Sequence, residues 1–243
     1  GMLWILKTVP FVLGFVLVIA LLIWFSMEML KAHLTSNAVK VSANNFPEIY
    51  RVLQDVKYVL NYNGDIKIYI VNEGSVNAFL SKFFKTEIII LNSALVDDMI
   101  THHTLPQIKW VIARFVGALK AKHTRVFFVR VIIDSLEKIK IFNLFLLPYE
   151  RAIQYSGDQI GLAVCKDLDQ SLIAFHKFMV GNHLAEKVHY EGLIEQEREM
   201  NIFASIDRLF STHPHVIDRF VNLLAFAKRK YPNMYSAYLR KHS

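Results

Sequence analysis

The sequence predicts an α+β fold, mostly helical, with a small β-sheet near its start and one N-terminal transmembrane helix ahead of it. Three observations carry this expectation. The stretch from Thr8 to Met27 is apolar and uncharged; IKIYIV (66–71) and EIIIL (87–91) are short β-branched runs; and nearly everything after Ala94 has helical character.

The chain has 243 residues, enough for a domain of about 200 residues with a sizeable core and an appendage. Thr8–Met27 is the appendage. At 1.5 Å per residue it crosses a hydrocarbon layer of roughly 30 Å. The run is longer than the apolar part of a signal peptide, and no small-x-small cleavage site follows Trp24–Leu30. An uncleaved anchor over residues 1–33 and a globular domain over 34–243 are therefore expected. Lys31, Lys40 and Arg51 on one flank outnumber Lys7 on the other, which places the globular part on the cytoplasmic side of a single-pass membrane protein. A single cysteine, Cys165, makes no intramolecular disulfide and suits a reducing compartment. The net charge of +7 suits a bilayer with anionic lipids as a partner. Nucleic acid is not expected, because the basic residues are scattered and the one run, Lys228-Arg229-Lys230, reads as a solvated helix end.

Past the anchor, Asn45 and Pro47 open a helix with apolar positions Ile49, Val52, Leu53, Val56 and Leu60, and Asn63-Gly64 ends it in a turn. The two strands follow. Thr104 and Gln107 form a capping-box pair with Pro106 in the first turn, which starts a helix through WVIARFVGALKAKH (110–123). Two apolar patches, VFFVRVII (126–133) and IFNLFLLP (141–148), are too interrupted by charge to span a membrane; they read as core helices or as a hairpin at the membrane surface.

Several short motifs then fall into one order: VNAF (76–79), TEIIILNSALVDD (86–98), the capped helix, YSGDQIG (155–161) and STHPHVIDR (211–219). Together, over roughly residues 45–225, they resemble the HtpX and CAAX-prenyl-protease family of membrane zinc metallopeptidases. The resemblance implies a zincin-like metallopeptidase fold. In that family an HExxH helix supplies two zinc-ligating histidines and a general base, and an E-x-x-x-D helix supplies the third ligand. Laid on this sequence, the family's HELGH falls on Arg114, Phe115, Val116, Gly117 and Ala118, and its E-x-x-x-D falls on Gln154 and Asp158. Gly117, Asp158 and a histidine at His123 are kept. Both helix ligands, the base and the third ligand are lost.

The resemblance therefore implies a pseudopeptidase: no zinc or other cofactor, and no catalytic residue of the usual kind. Among ten histidines, His213-Pro214-His215 and His102-His103 are the pairs that could rebuild a metal site, Cys165 is a possible nucleophile, and Ser156 sits in the old motif. The bland readings are surface or capping histidines and a core cysteine. The expected function is a non-catalytic platform for a protein or unfolded-peptide partner, of a kind suited to protein quality control. Strand addition along EIIIL as an edge, with Asn77, Phe79, Ile88, Ile89, Ile90 and His213 as binding residues, is the expected mode, an interior position for that strand being the alternative. Two other readings remain: a metallopeptidase-like hydrolase with a rebuilt site, which would contain zinc, and a scaffold subunit with a stoichiometric partner. In the family the aspartate orients a ligand histidine. Here Arg114 is expected to pair with Asp158, with Gln154 as an amide neighbour.

Overall fold

A continuous helix, α1 (Met2–Ser36), contains the uncharged stretch, and its segment Val12–His33 has a mean hydropathy of 2.4 with none of it buried. This is one helix long and apolar enough to cross a membrane. The computed structural model describes residues 2–72, 77–83, 86–121, 140–199 and 215–242. Of the two apolar patches, 126–133 lies outside the described residues, and 141–148 forms the first part of a long helix introduced below.

Four strands make a mixed sheet: β1 (Ala38–Lys40), β2 (Ile66–Val71), β3 (Ala78–Phe83) and β4 (Thr86–Asn92), in the order β1-β2-β4-β3. β4 runs parallel to β2, with Ile68 opposite Ile89, and antiparallel to β3, with Leu80 opposite Ile89. The expected edge at EIIIL is thus corrected: β4 is an interior strand, and Ile88, Ile89 and Ile90 are at most 1 % exposed. The reason is visible in the composition. A strand covered on both faces is apolar at every position, whereas a half-exposed edge alternates. Ile89 and Leu91 join the main core under the helices, while Ile88 and Ile90 form a second cluster with Val71, against which Phe79 packs.

α2 (Pro47–Val59) buries Ile49, Leu53 and Val56 against that core. Its start is as expected, with Pro47 in the first turn, but Asn45 is not the cap; Phe46 holds that position in left-handed backbone at φ 57°. After β4 come α3 (Ser93–Thr101) and α4 (Leu105–Lys120). α4 begins where Thr104 predicts, yet the capping box does not form. The Thr104 hydroxyl donates backwards to the Met99 carbonyl at 3.1 Å. The Gln107 side chain is drawn into a buried network instead, accepting from Lys177 Nζ at 2.6 Å and donating to Gln170 at 2.8 Å. Lys177 also pairs with Asp98, so the cation is shared between α3, α4 and the helix carrying it.

That helix is α6 (Leu168–Val180), which follows α5 (Lys140–Cys165); α7 (Tyr190–Arg198), α8 (Val216–Lys230) and α9 (Pro232–His242) complete the described chain. α4 is the central helix, packed against α2, α5 and α6. Glycines set how closely α4 and α5 approach. A Cβ on Gly117 would lie 2.6 Å from Ile160 Cγ2, and one on Gly161 would lie 2.7 Å from the indole of Trp110 and 3.0 Å from Arg114 Cγ. Trp110 is fully buried and has no room to retreat. Gly161→Ala is therefore expected to cost about 1–3 kcal/mol through overpacking, despite alanine's better helix propensity. A urea-unfolding midpoint equal to that of the parent would contradict this.

Candidate functional site

Between Trp110 and Leu119 on α4, only Arg114, Phe115 and Ala118 are not fully buried. Ala118 lies four residues after Arg114 and three after Phe115, which groups the three on one face of the helix. Across from them, α5 brings Gln154 and Asp158 up at the same i, i+4 spacing, with Asp158 at 1 % exposure. The structure thus brings Arg114 into contact with both Gln154 and Asp158, and sets Phe115 and Ala118 on the stripe beside Arg114.

The pairing expected between Arg114 and Asp158 is present, with Nε 2.8 Å from Oδ1. Its geometry is less favourable than a forked pair. The Arg114 Nε–H is not aimed at the oxygen and makes no hydrogen bond, so the contact is an ion pair held by proximity. Nη2 donates to Gln154 Oε1 at a long 3.3 Å. The forked partner of Asp158 is a residue to which the sequence reading gave no role. Arg219 on α8 donates from Nε to Oδ2 at 2.8 Å and from Nη2 to Oδ1 at 2.9 Å. Arg219 lies in the quoted STHPHVIDR segment. Its place as the last residue of that motif was the signal available, but the motif alone does not say that this arginine meets a carboxylate 61 positions earlier.

Aromatic faces hold both guanidinium planes. Arg114 Cζ lies 4.7 Å from the Trp110 ring centre and 5.9 Å from that of Phe178; Arg219 Cζ lies 4.8 Å from that of Phe175. Burial pushes the Arg114 guanidinium down to about 10, with Asp158 opposing that fall and Arg219 adding to it. It stays protonated at neutral pH. A cavity of about 500 Å³ lies along α5 and α8, lined by Arg151 and Tyr155 of α5 and by Asp218 and Asn222 of α8; none of Arg114, Gln154, Asp158 and Arg219 lines it.

The other expected residues are dispersed. Asn77 precedes β3, its carbonyl accepting from Asn92 N at 3.0 Å, and Phe79 lies in β3. His213 and His123 lie outside the described residues. His102 and His103 sit at the C-terminal end of α3, with the His102 ring on Asp98, and His215 caps α8. Ser156 donates to the Ile153 carbonyl within its own helix at 3.1 Å. Cys165 donates to the Pro106 carbonyl at 3.3 Å, and burial pushes its thiol pKa up, the opposite of an activated nucleophile. The Lys228–Lys230 run is exposed in the last turn of α8.

The sequence profile of peptidase family M48 matches residues 102–227, more than half of the 243-residue chain. The chain belongs to peptidase family M48. No curated protein and no solved structure matches it. The match begins just before α4 and ends within α8, so it contains the whole Arg114–Asp158–Arg219 group. The small sheet and the helices around α4 suit the zincin-like fold of a metallopeptidase family. The residues of the group do not fit its zinc ion. A guanidinium cannot be a ligand, Ala118 has no donor atom, and Gln154 Oε1 is a neutral oxygen already accepting from Arg114. Among the described residues no three His, Cys, Asp or Glu side chains cluster so as to hold a metal.

Proposed function

We propose that this chain is a membrane-anchored pseudopeptidase, similar in its motif order to the HtpX and CAAX-prenyl-protease family, that uses the peptidase fold to hold a protein or unfolded peptide without cutting it. The observation that carries the reading is the Arg114 guanidinium 2.8 Å from Asp158, on the helix stripe where the family's first zinc ligand and general base stand. A permanent cation there repels a divalent metal, and Phe115 beside it cannot take a proton from water. The β3 strand, with Asn77 before it and Phe79 in it, forms one edge of the sheet, which is where an added peptide strand would pair. In this reading α1 is the anchor, and Lys31, Lys40 and Arg51 on its C-terminal flank favour a cytoplasmic domain.

The test is elemental analysis of the full chain purified in detergent, together with a cleavage assay on unfolded casein. Less than one tenth of a zinc per chain and no cleavage are expected. Zinc near one per chain, lost on mutating a histidine, would establish the hydrolase reading instead. Deleting residues 1–33 is expected to leave a soluble, folded domain, since the described core begins with Val41 and Ile49. Aggregation of the truncated protein would mean that a second segment, such as 126–148, also contacts the membrane.

A further inference from the structure

Among the described residues, the group at the centre of the fold has one charge too many. Arg114, Arg219 and Asp158 have side chains only 11 %, 14 % and 1 % exposed, so two cations share one carboxylate away from water. Arg219 already takes both oxygens of Asp158 in a fork. Arg114 is left as the surplus cation. Its Nε is buried without a hydrogen bond, and its only hydrogen bond among the described residues is the long one from Nη2 to Gln154. The Gln154 amide nitrogen also donates to nothing among the described residues. A buried cation that only shares a carboxylate already forked by another arginine is costly, and a second anion would relieve it.

We propose that Arg114 and Gln154 form a carboxylate-binding site, and that the carboxylate is carried by a bound peptide. The inference rests on the pseudopeptidase reading and adds the chemistry that selects its ligand. The guanidinium carbon lies over the Trp110 ring at 4.7 Å from its centre, and the neighbouring amide offers N–H donors beside it, a match for a planar two-oxygen acceptor. One surplus charge balances one carboxylate, whereas a phosphate dianion would overcompensate it. Access is from the stripe of α4 that is not fully buried, at Arg114, Phe115 and Ala118. The carboxylate would come either from a peptide's chain end or from a Glu or Asp side chain; the two share this chemistry and are separated by the test.

Trp110 reports on the site because Arg114 stacks on it. The experiment uses the full chain in detergent micelles, with Trp4→Phe and Trp24→Phe leaving Trp110 as the one remaining tryptophan. Its emission is followed while adding acetyl-Leu-Ala-Leu with a free chain end, the same peptide as its amide, acetyl-Leu-Glu-Leu amide, or inorganic phosphate. At least one acid-bearing peptide is expected to bind about tenfold or more tighter than the neutral amide, the preferred one identifying the source of the carboxylate. Arg114→Gln should bring the acid peptide down to the affinity of the amide. If that variant does not fold by circular dichroism, the acid-to-amide ratio of the parent protein decides alone. Equal binding of acid and amide overturns the carboxylate site while leaving peptide binding intact. Tighter binding of phosphate than of any peptide also overturns it, and no response to any probe overturns both this inference and the peptide-binding reading.

Discussion

Asp158→Asn is expected to destabilise the protein by about 3–5 kcal/mol, and Arg219→Met by a similar amount, whereas Arg114→Met should cost much less. The ordering follows from the charge count. Removing the carboxylate leaves two guanidinium groups facing each other in a site where neither side chain is more than 14 % exposed. Removing Arg219 leaves Asp158 with a single cation whose Nε–H is not aimed at it. Removing Arg114 takes away the surplus charge and leaves the forked Arg219–Asp158 pair whole. Methionine also keeps an apolar stem over Trp110. Urea unfolding of the full chain in detergent, followed by near-ultraviolet circular dichroism, gives the three values. A loss from Arg114→Met as large as that from Asp158→Asn would show that the Arg114 contact, not the Arg219 fork, dominates the group. A double-mutant cycle on Arg219 and Asp158 should give a larger coupling than one on Arg114 and Asp158.

The parts of this architecture legible in the sequence are those with a local signal. α2 and α4 begin where a proline sits in a first turn, β2 and β4 lie where β-branched residues run together, and α1 contains the uncharged stretch. The stripe of Arg114, Phe115 and Ala118 was legible for a different reason. Motif order fixed which residues of α4 and α5 face one another, and the 2.8 Å contact between Arg114 and Asp158 follows from that alignment. What was not legible depends on partners far along the chain. Arg219 meets Asp158 across 61 positions, and Lys177 meets Gln107 across 70. Periodicity says which face of a helix is buried but not which buried polar group will need which donor. The capping box failed for the same reason: Gln107 carries the expected local signal, but satisfying the buried Lys177 ammonium outweighs a helix cap worth about 1 kcal/mol. β3 was missed because AFLSKF has neither strict alternation nor a β-branched run, and it is strand by virtue of its pairing with β4.

Acidification from pH 6.5 to 4 should remove about 3 kcal/mol of stability through one side chain, His176. It lies on α6 at 3 % exposure, with Phe175 and Phe220 rings near it and its Nε2 without a hydrogen bond among the described residues. Burial pushes its pKa from 6.5 down to about 4; a hydrogen bond with the Ala185 backbone and the nearby Asp169 oppose that fall, and His242 adds to it. The folded protein therefore keeps His176 neutral in a range where the unfolded chain takes up a proton. Stability from this source is complete above pH 6.5, falls as the pH drops through the window, and levels off below about 4. A second acid-sensitive contact acts lower. Asp169 is clasped by Lys241 and His242 of α9; its burial favours the neutral form, but those hydrogen bonds outweigh it and hold the carboxyl below its ordinary value of 3.8. Its contribution is complete above the unfolded carboxylate value and is lost as the pH falls from there through the lower folded value, so most of its loss lies below the His176 window. His176→Gln removes the titrating group while keeping an amide donor for the Ala185 backbone. In the variant, the urea midpoint should change little between pH 6.5 and 4, while the parent's falls steeply over the same interval. Parallel profiles for the two proteins would show that His176 is not the group that takes up the proton, and that the acid sensitivity arises elsewhere in the fold.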